Sequence, residues 1–207
     1  MEKSLLIIFV KNPILGEVKT RLATSVGDEM ALRIYERLLQ KTHQETHNLG
    51  CDKTVYYHAF VPEQDIWSDG NYDKALQIEG SLGQKMSAAF QNAFQSGYKK
   101  VAIIGSDCYE LSKEILLEAL EKLNTSDAVI GPSEDGGYYL LGMRSFLPEV
   151  FENKIWSTST VFKDTIASFK TLKQTIAILP ELNDVDEERD LGEWAKEMLK
   201  NKDTRTL

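Results

Sequence analysis

Apolar and polar positions fall into distinct blocks along the chain. Residues 5–10 form a continuous apolar, β-rich run, the pattern of a strand covered on both faces in a parallel sheet. A loop with Pro13 and Gly16 follows it. Across 28–49, Met30, Leu32, Ile34, Tyr35, Leu38 and Leu39 recur at helical spacing, with Gly50 as the expected C-cap. Residues 54–61 alternate loosely and predict a second strand. The polar stretch 63–72, with Pro62 before it and Gly70 within it, predicts a loop, and 76–78 a short third strand. Over 82–94, Leu82, Met86, Ala89, Phe90 and Ala93 share one helical face that ends at Gly97.

Residues 101–104 are another continuous apolar strand, followed at once by Gly105, Ser106, Asp107 and Cys108. Polar residues at that end matter, because ligands of open α/β sheets collect beyond the carboxyl ends of the strands. Ser112 is placed to cap a helix running to Leu123. Two apolar segments, 128–131 and 138–142, flank a turn carrying Gly136 and Gly137. A helix over 160–169, a strand over 175–179 and an amphipathic helix over 188–199 complete the reading. This alternation predicts a mostly parallel α/β sheet in a single domain spanning 1–207.

Composition narrows the function classes. With 207 residues, 42% hydrophobic and 27% charged, the chain can bury a sizeable core. A formal net charge of -8 repels a nucleic-acid backbone, and no basic patch opposes it, so no nucleic-acid partner is expected. Cys51 and Cys108 lack CxxC spacing and are expected to be reduced thiols. The apolar run at the N-terminus is short, carries Glu2 and Lys3, and reads as a core strand rather than a signal peptide. No stretch approaches the roughly 20 apolar residues needed to cross a bilayer. A cytoplasmic location is therefore expected.

The candidate chemistry lies in the loops. KNPILGEVKTRL (11–22) sets Lys11, Gly16, Lys19 and Arg21 ahead of helical sequence, residues suited to phosphate oxygens. It is neither a Walker A loop nor GxGxxG, and it also suits an ordinary solvated loop. Asp107 and the run NDVDEERD (183–190) supply carboxylates able to share Mg²⁺ or Mn²⁺ with a diphosphate, with Asp186 or Asp184 as the second ligand. Without a ligand, the same acids suit a turn and a helix start. In GPSEDGGYYLLG (131–142), Gly136 and Gly137 allow close backbone approach to a sugar or acceptor, while Asp135 can bind hydroxyls or accept a proton. A tight hairpin accounts for those residues equally well. Other motifs fail: HQETH has Gln44 where a zincin needs glutamate after His43, so no such site is expected with His47. DVDEER lacks the EF-hand glycine, and GPSED lacks the last glycine of a nucleophile elbow.

Taken in order, KNPILGEVKTRL, LGQKMSAAF, IIGSDCYELS, GPSEDGGYYLLG and NDVDEERDL resemble a bacterial family of GT-A-like glycosyltransferases of the selenodomain-associated or arsenosugar-biosynthesis type. The resemblance implies a nucleotide-diphospho-sugar transferase fold, a three-layer sandwich whose N-terminal half holds the nucleotide. By position, Lys19 and Arg21 look like the phosphate-contacting basic loop, and Asp107 like the metal-binding acid of the family's Ser-Asp-Cys-Pro segment. Tyr109 replaces the expected proline, and Ser81 stands where an acid commonly precedes Leu-Gly. The expected reaction is metal-dependent sugar transfer from a nucleotide-diphospho-sugar to a small-molecule acceptor. Asp107 and Asp186 would hold the metal, Lys11, Gly16, Lys19, Arg21 and Ser106 the nucleotide, and Asp135, Gly136 and Gly137 the sugar or acceptor. Lys19, Arg21 and Asp135 would serve catalysis. The basic loop is also similar to that of 2-phospholactate guanylyltransferase, which implies the alternative of nucleotidyl transfer from an NTP with release of pyrophosphate. A non-catalytic nucleotide-sugar-binding protein is the third reading.

Overall fold

The computed structural model describes residues 2–200. β1 (Ser4–Val10), β2 (Asp52–Tyr57), β3 (Asp73–Leu76), β4 (Lys100–Ile104), β5 (Ala128–Pro132), β6 (Tyr138–Met143) and β7 (Ile176–Ile178) form one sheet in the order β3-β2-β1-β4-β6-β5-β7. β6 runs antiparallel to both of its neighbours, and every other pairing is parallel. The expected mixed, mostly parallel α/β sheet is therefore what these residues build.

Strand pleat divides the core in two. Leu6, Ile8 and Val10 of β1 face one apolar cluster, while Leu5 and Ile7 face the other. α1 (Thr20–Val26), α2 (Asp28–Thr46) and α4 (Lys113–Lys122) cover the first face, joined by α6 (Glu193–Lys200), whose Ala195 is buried. α3 (Leu82–Gln95) and α5 (Val161–Thr171) cover the second through Met86, Phe90 and Phe169. With both faces covered, the strands read as continuous apolar runs, which is why β1 and β4 stand out in the sequence. Fully buried Ile34 and Leu38 of α2 each contribute about 1.5–3 kcal/mol by leaving water.

Several elements differ from the sequence reading. α2 ends at Thr46, not at Gly50: the chain turns so that Leu49 is buried, and Leu49 N–H donates to the Thr46 carbonyl at 3.2 Å. β2 stops at Tyr57 because Asn12 captures the next residues, accepting from Ala59 N–H at 3.0 Å and donating to the Phe60 carbonyl at 2.9 Å. β3 lies at Asp73–Leu76 rather than 76–78, registered as Thr54↔Asp73 to Tyr57↔Leu76. As an edge strand with Ile78 left exposed beyond it, β3 has no apolar signature. The closing helix is broken into a 3-10 turn, Glu188–Asp190, and α6 after Gly192. α1 is an addition, short and entered through Lys19 in a left-handed conformation at φ 48°. Among the described residues no helix is long and apolar enough to cross a membrane.

Candidate active site

β1 and β4 are neighbours in the sheet, yet the chain leaves β1 towards β2 on one side and reaches β4 on the other. Their carboxyl ends therefore meet at the point where strand order reverses, and the loops from both open into one crevice. Tyr35 of α2 ties the two loops together. Its hydroxyl accepts from Lys11 N–H at 2.8 Å and lies 3.2 Å from Ser106 Oγ. Buried this deeply, and beside Asp107, the Tyr35 phenol is pushed well above its usual pKa.

A third segment reaches the same place. After β7 the chain returns along the end of β5: Leu182 N–H donates to the Pro132 carbonyl and Glu134 N–H to the Leu182 carbonyl, at 3.2 and 3.1 Å. It then crosses to the end of β4, where Val185 N–H donates to the Asp107 carbonyl at 2.9 Å. This strap delivers Asp184 and Asp186 to Asp107.

The resulting pocket is lined by Lys11, Val18, Lys19, Thr20, Arg21, Tyr35, Asp107 and Asp186. Lys19 is its hub: the ammonium lies 2.6 Å from Asp107 Oδ1 and 3.4 Å from Asp186 Oδ1, with only 6% of its side chain exposed. Arg21 Nη2 holds the other Asp186 oxygen at 2.6 Å from the exposed side. Burial would lower the Lys19 pKa, but Asp107 and Asp186 more than offset it, so the group is held cationic. Asp184 is pushed up to about 7, first by burial and then by Asp107, Asp135 and Asp186, with Lys19 opposing the shift.

The structure thus brings together Lys11, Lys19, Arg21, Asp107 and Asp186. Gly16, at φ 78°, supplies the turn of the loop and is exposed, with open space beside it. Ser106 is buried and turned towards Tyr35. Asp135 is exposed and near enough to Asp184 to raise its pKa, while its Oδ1 accepts from Ser133 Oγ at 2.6 Å and Gly137 N–H at 2.8 Å. A side chain on Gly136 would meet the chain's own Ser159 carbonyl at 2.1 Å, so the close backbone approach there is internal. Tyr35 was not a site candidate in the sequence, because its helical spacing marks it only as core.

The two departures from the family pattern both have structural work. Ser81 caps α3 in a reciprocal box with Gln84, accepting from Gln84 N–H at 3.3 Å while its own N–H donates to Gln84 Oε1 at 2.8 Å. Tyr109 stacks on Trp194 of α6, with ring centroids 4.0 Å apart and planes within 10°.

A bacterial family described as "uncharacterized protein conserved in bacteria (DUF2064)" matches residues 39–158. The chain belongs to this family. The DUF2064 chain is 31% identical to a protein of Desulfovibrio desulfuricans G20 provisionally named a nucleotide-diphospho-sugar transferase, with a TM-score of 0.87 over 99% of this chain and 96% of that one. More distant structures share the fold. They include 4-diphosphocytidyl-2C-methyl-D-erythritol synthase from Anaerococcus prevotii (12% identity, TM-score 0.64, 96% of each chain). The inositol-1-phosphate CTP transferase of T. maritima is similar at 11% identity and TM-score 0.61, over 100% of this chain and 99% of that one. No curated protein matches the sequence significantly. The fold is that of the nucleotide-diphospho-sugar transferases, and its neighbours are transferases and nucleotidyltransferases.

Proposed function

We propose that this DUF2064 protein transfers a sugar from a nucleotide-diphospho-sugar to a small-molecule acceptor with the aid of Mg²⁺ or Mn²⁺. The observation that carries the reading is the meeting of Lys19, Arg21, Asp107 and Asp186 at the β1/β4 reversal point. The donor set suits a hard divalent cation: the carboxylate oxygens of Asp107 and Asp186 on two loops, with the buried Asp184 beside them. Asp107 and Asp186 would hold the ion, which would neutralise the diphosphate leaving group as the glycosidic bond breaks.

The remaining roles belong to the chain's own groups. Lys19, fixed by burial, is positioned to counter charge on the departing phosphate, and Arg21, 69% exposed, would exchange its outer contact with Asp186 for a phosphate oxygen. Lys11 adds a cation at the mouth of the pocket. Asp135, exposed in the turn between β5 and β6 and near enough to Asp184 to raise its pKa, would orient a hydroxyl or take its proton. Nucleotidyl transfer is the second reading, favoured by the same concentration of Lys11, Lys19 and Arg21 in one pocket.

Incubation with Mn²⁺ and a panel of nucleotide sugars decides between them. Sugar transfer or slow donor hydrolysis, reduced about 10²-fold or more by Asp107→Asn and by Lys19→Met, is the expected result. Pyrophosphate release from an NTP would move the assignment to nucleotidyl transfer. Binding without turnover would leave a nucleotide-sugar-binding protein, and neither binding nor turnover would sink all of these readings.

A further inference from the structure

A second cluster of ligating side chains lies away from the carboxylate pocket. His43 and His47 stand one turn apart at the end of α2, with ring centroids 5.2 Å apart. The loop after β2 brings Asp69 against both: His43 Nε2 and His47 Nδ1 each lie 3.0 Å from the same oxygen, Asp69 Oδ2. The other carboxylate oxygen is already engaged, accepting from Asn71 N–H at 2.9 Å, which turns Oδ2 towards the imidazoles.

Packing holds the His43 ring. His43 lies 5.3 Å from buried Trp67 and 5.4 Å from Tyr72, whose hydroxyl donates to the His43 carbonyl at 3.2 Å. His47 Nδ1 is closed to solvent and makes no hydrogen bond despite its distance from Asp69. An imidazole nitrogen left in that position is costly unless something else satisfies it.

We propose that His43, His47 and Asp69 bind a first-row transition-metal dication, with Zn²⁺ as the ion they suit best. The three ligand atoms lie within 4.8 Å of one another. Ligands held about 2.0–2.1 Å from zinc are separated from each other by roughly 3.0–3.4 Å, so the two nitrogen–oxygen edges at 3.0 Å already fit, and the remaining edge would close by rotation of the His47 ring. Two imidazoles favour such an ion over Mg²⁺, which separates this site from the oxygen donors Asp107 and Asp186. Gln44 replaces the glutamate that would activate a bound water, so the ion's role is to clamp the loop to α2 rather than to hydrolyse. The same loop is anchored at its start by Asn12, next to the basic segment, so the clamp steadies one flank of the β1 loop.

The test uses the tag-free full chain, stripped with a chelator and titrated with Zn²⁺ against a chromophoric competitor. One equivalent is expected to bind and to raise the melting temperature by about 3 °C or more. His43→Gln, His47→Gln and Asp69→Asn should each weaken uptake at least ~10-fold and abolish the zinc-dependent shift. Because Asn keeps an oxygen to accept from Asn71 N–H, Asp69→Asn should keep the metal-free circular dichroism and a cooperative melt, which separates ligand loss from misfolding. Asp107→Asn should leave zinc uptake intact, and excess Mg²⁺ should not compete. No uptake by the parent chain, or uptake that survives all three ligand substitutions or disappears with Asp107→Asn, overturns the proposal.

Discussion

At the scale of single residues, the site is an electrostatic compromise centred on Lys19. Its ammonium is shared by Asp107 and Asp186, and removing it would leave two carboxylates facing each other beside Asp184. Lys19→Met should destabilise the metal-free protein by about 1–2 kcal/mol, discounted for the partial exposure of both acids. Added Mn²⁺ should recover part of that loss in a thermal melt, whereas a purely structural lysine would give no recovery. Asp184 works in the opposite sense. Its folded-state pKa, about 7, lies above the unfolded carboxylate value, so the folded state holds the extra proton between the two. The contribution of Asp184 to the stability of the metal-free protein should therefore fall as pH rises from about 4 to 7. Asp184→Asn removes that penalty and should stabilise the protein by roughly 1–3 kcal/mol above pH 7 while leaving it little changed near pH 4, as read from urea midpoints across pH.

At the scale of elements, the loops at the carboxyl ends are held by specific packing contacts. Gly136 combines φ 86° with the Ser159 carbonyl in the space a side chain would need. Gly136→Ala should cost roughly 2–4 kcal/mol in a denaturant melt, and a cost below ~0.5 kcal/mol would refute the packing argument. Tyr109 gives a different kind of link, since its stack on Trp194 fastens α6 to the loop that carries Asp107. Tyr109→Ala should lose about 1 kcal/mol and speed amide hydrogen exchange in α6, with the strands of the sheet unaffected.

At the scale of the whole molecule, a net charge of -8 and the pocket acids Asp107 and Asp186 oppose an anionic nucleotide, against the local pull of Lys11, Lys19 and Arg21. Metal and nucleotide should accordingly bind with positive coupling. Mn²⁺ is expected to tighten nucleotide-sugar binding at least ~10-fold, and the nucleotide must tighten Mn²⁺ binding by the same factor. Calorimetric titrations in both orders measure this, and independent binding would remove the shared site. Fold-level likeness to nucleotidyltransferases does not by itself choose the chemistry, because one scaffold hosts both kinds of transfer.

What the sequence determined alone was the part written in local pattern. Continuous apolar runs marked β1 and β4, helical periodicity marked α2 and α3, and the resemblance of five ordered segments to a transferase family implied that Lys19, Arg21, Asp107 and Asp186 belong to one site. These signals are legible because a strand buried on both faces has no polar positions, and because charged residues beside such strands stand out. Tertiary structure decided what depends on distant partners. The edge strand β3 has no burial to announce it, α2 stops where Leu49 must be buried, and Tyr35 becomes a site residue only when the β1 and β4 loops meet above it. Asp69 joins His43 and His47 only because the loop after β2 folds back onto α2. Spacing along a helix reveals neighbours one turn apart, but a ligand supplied by another segment leaves no trace in that spacing.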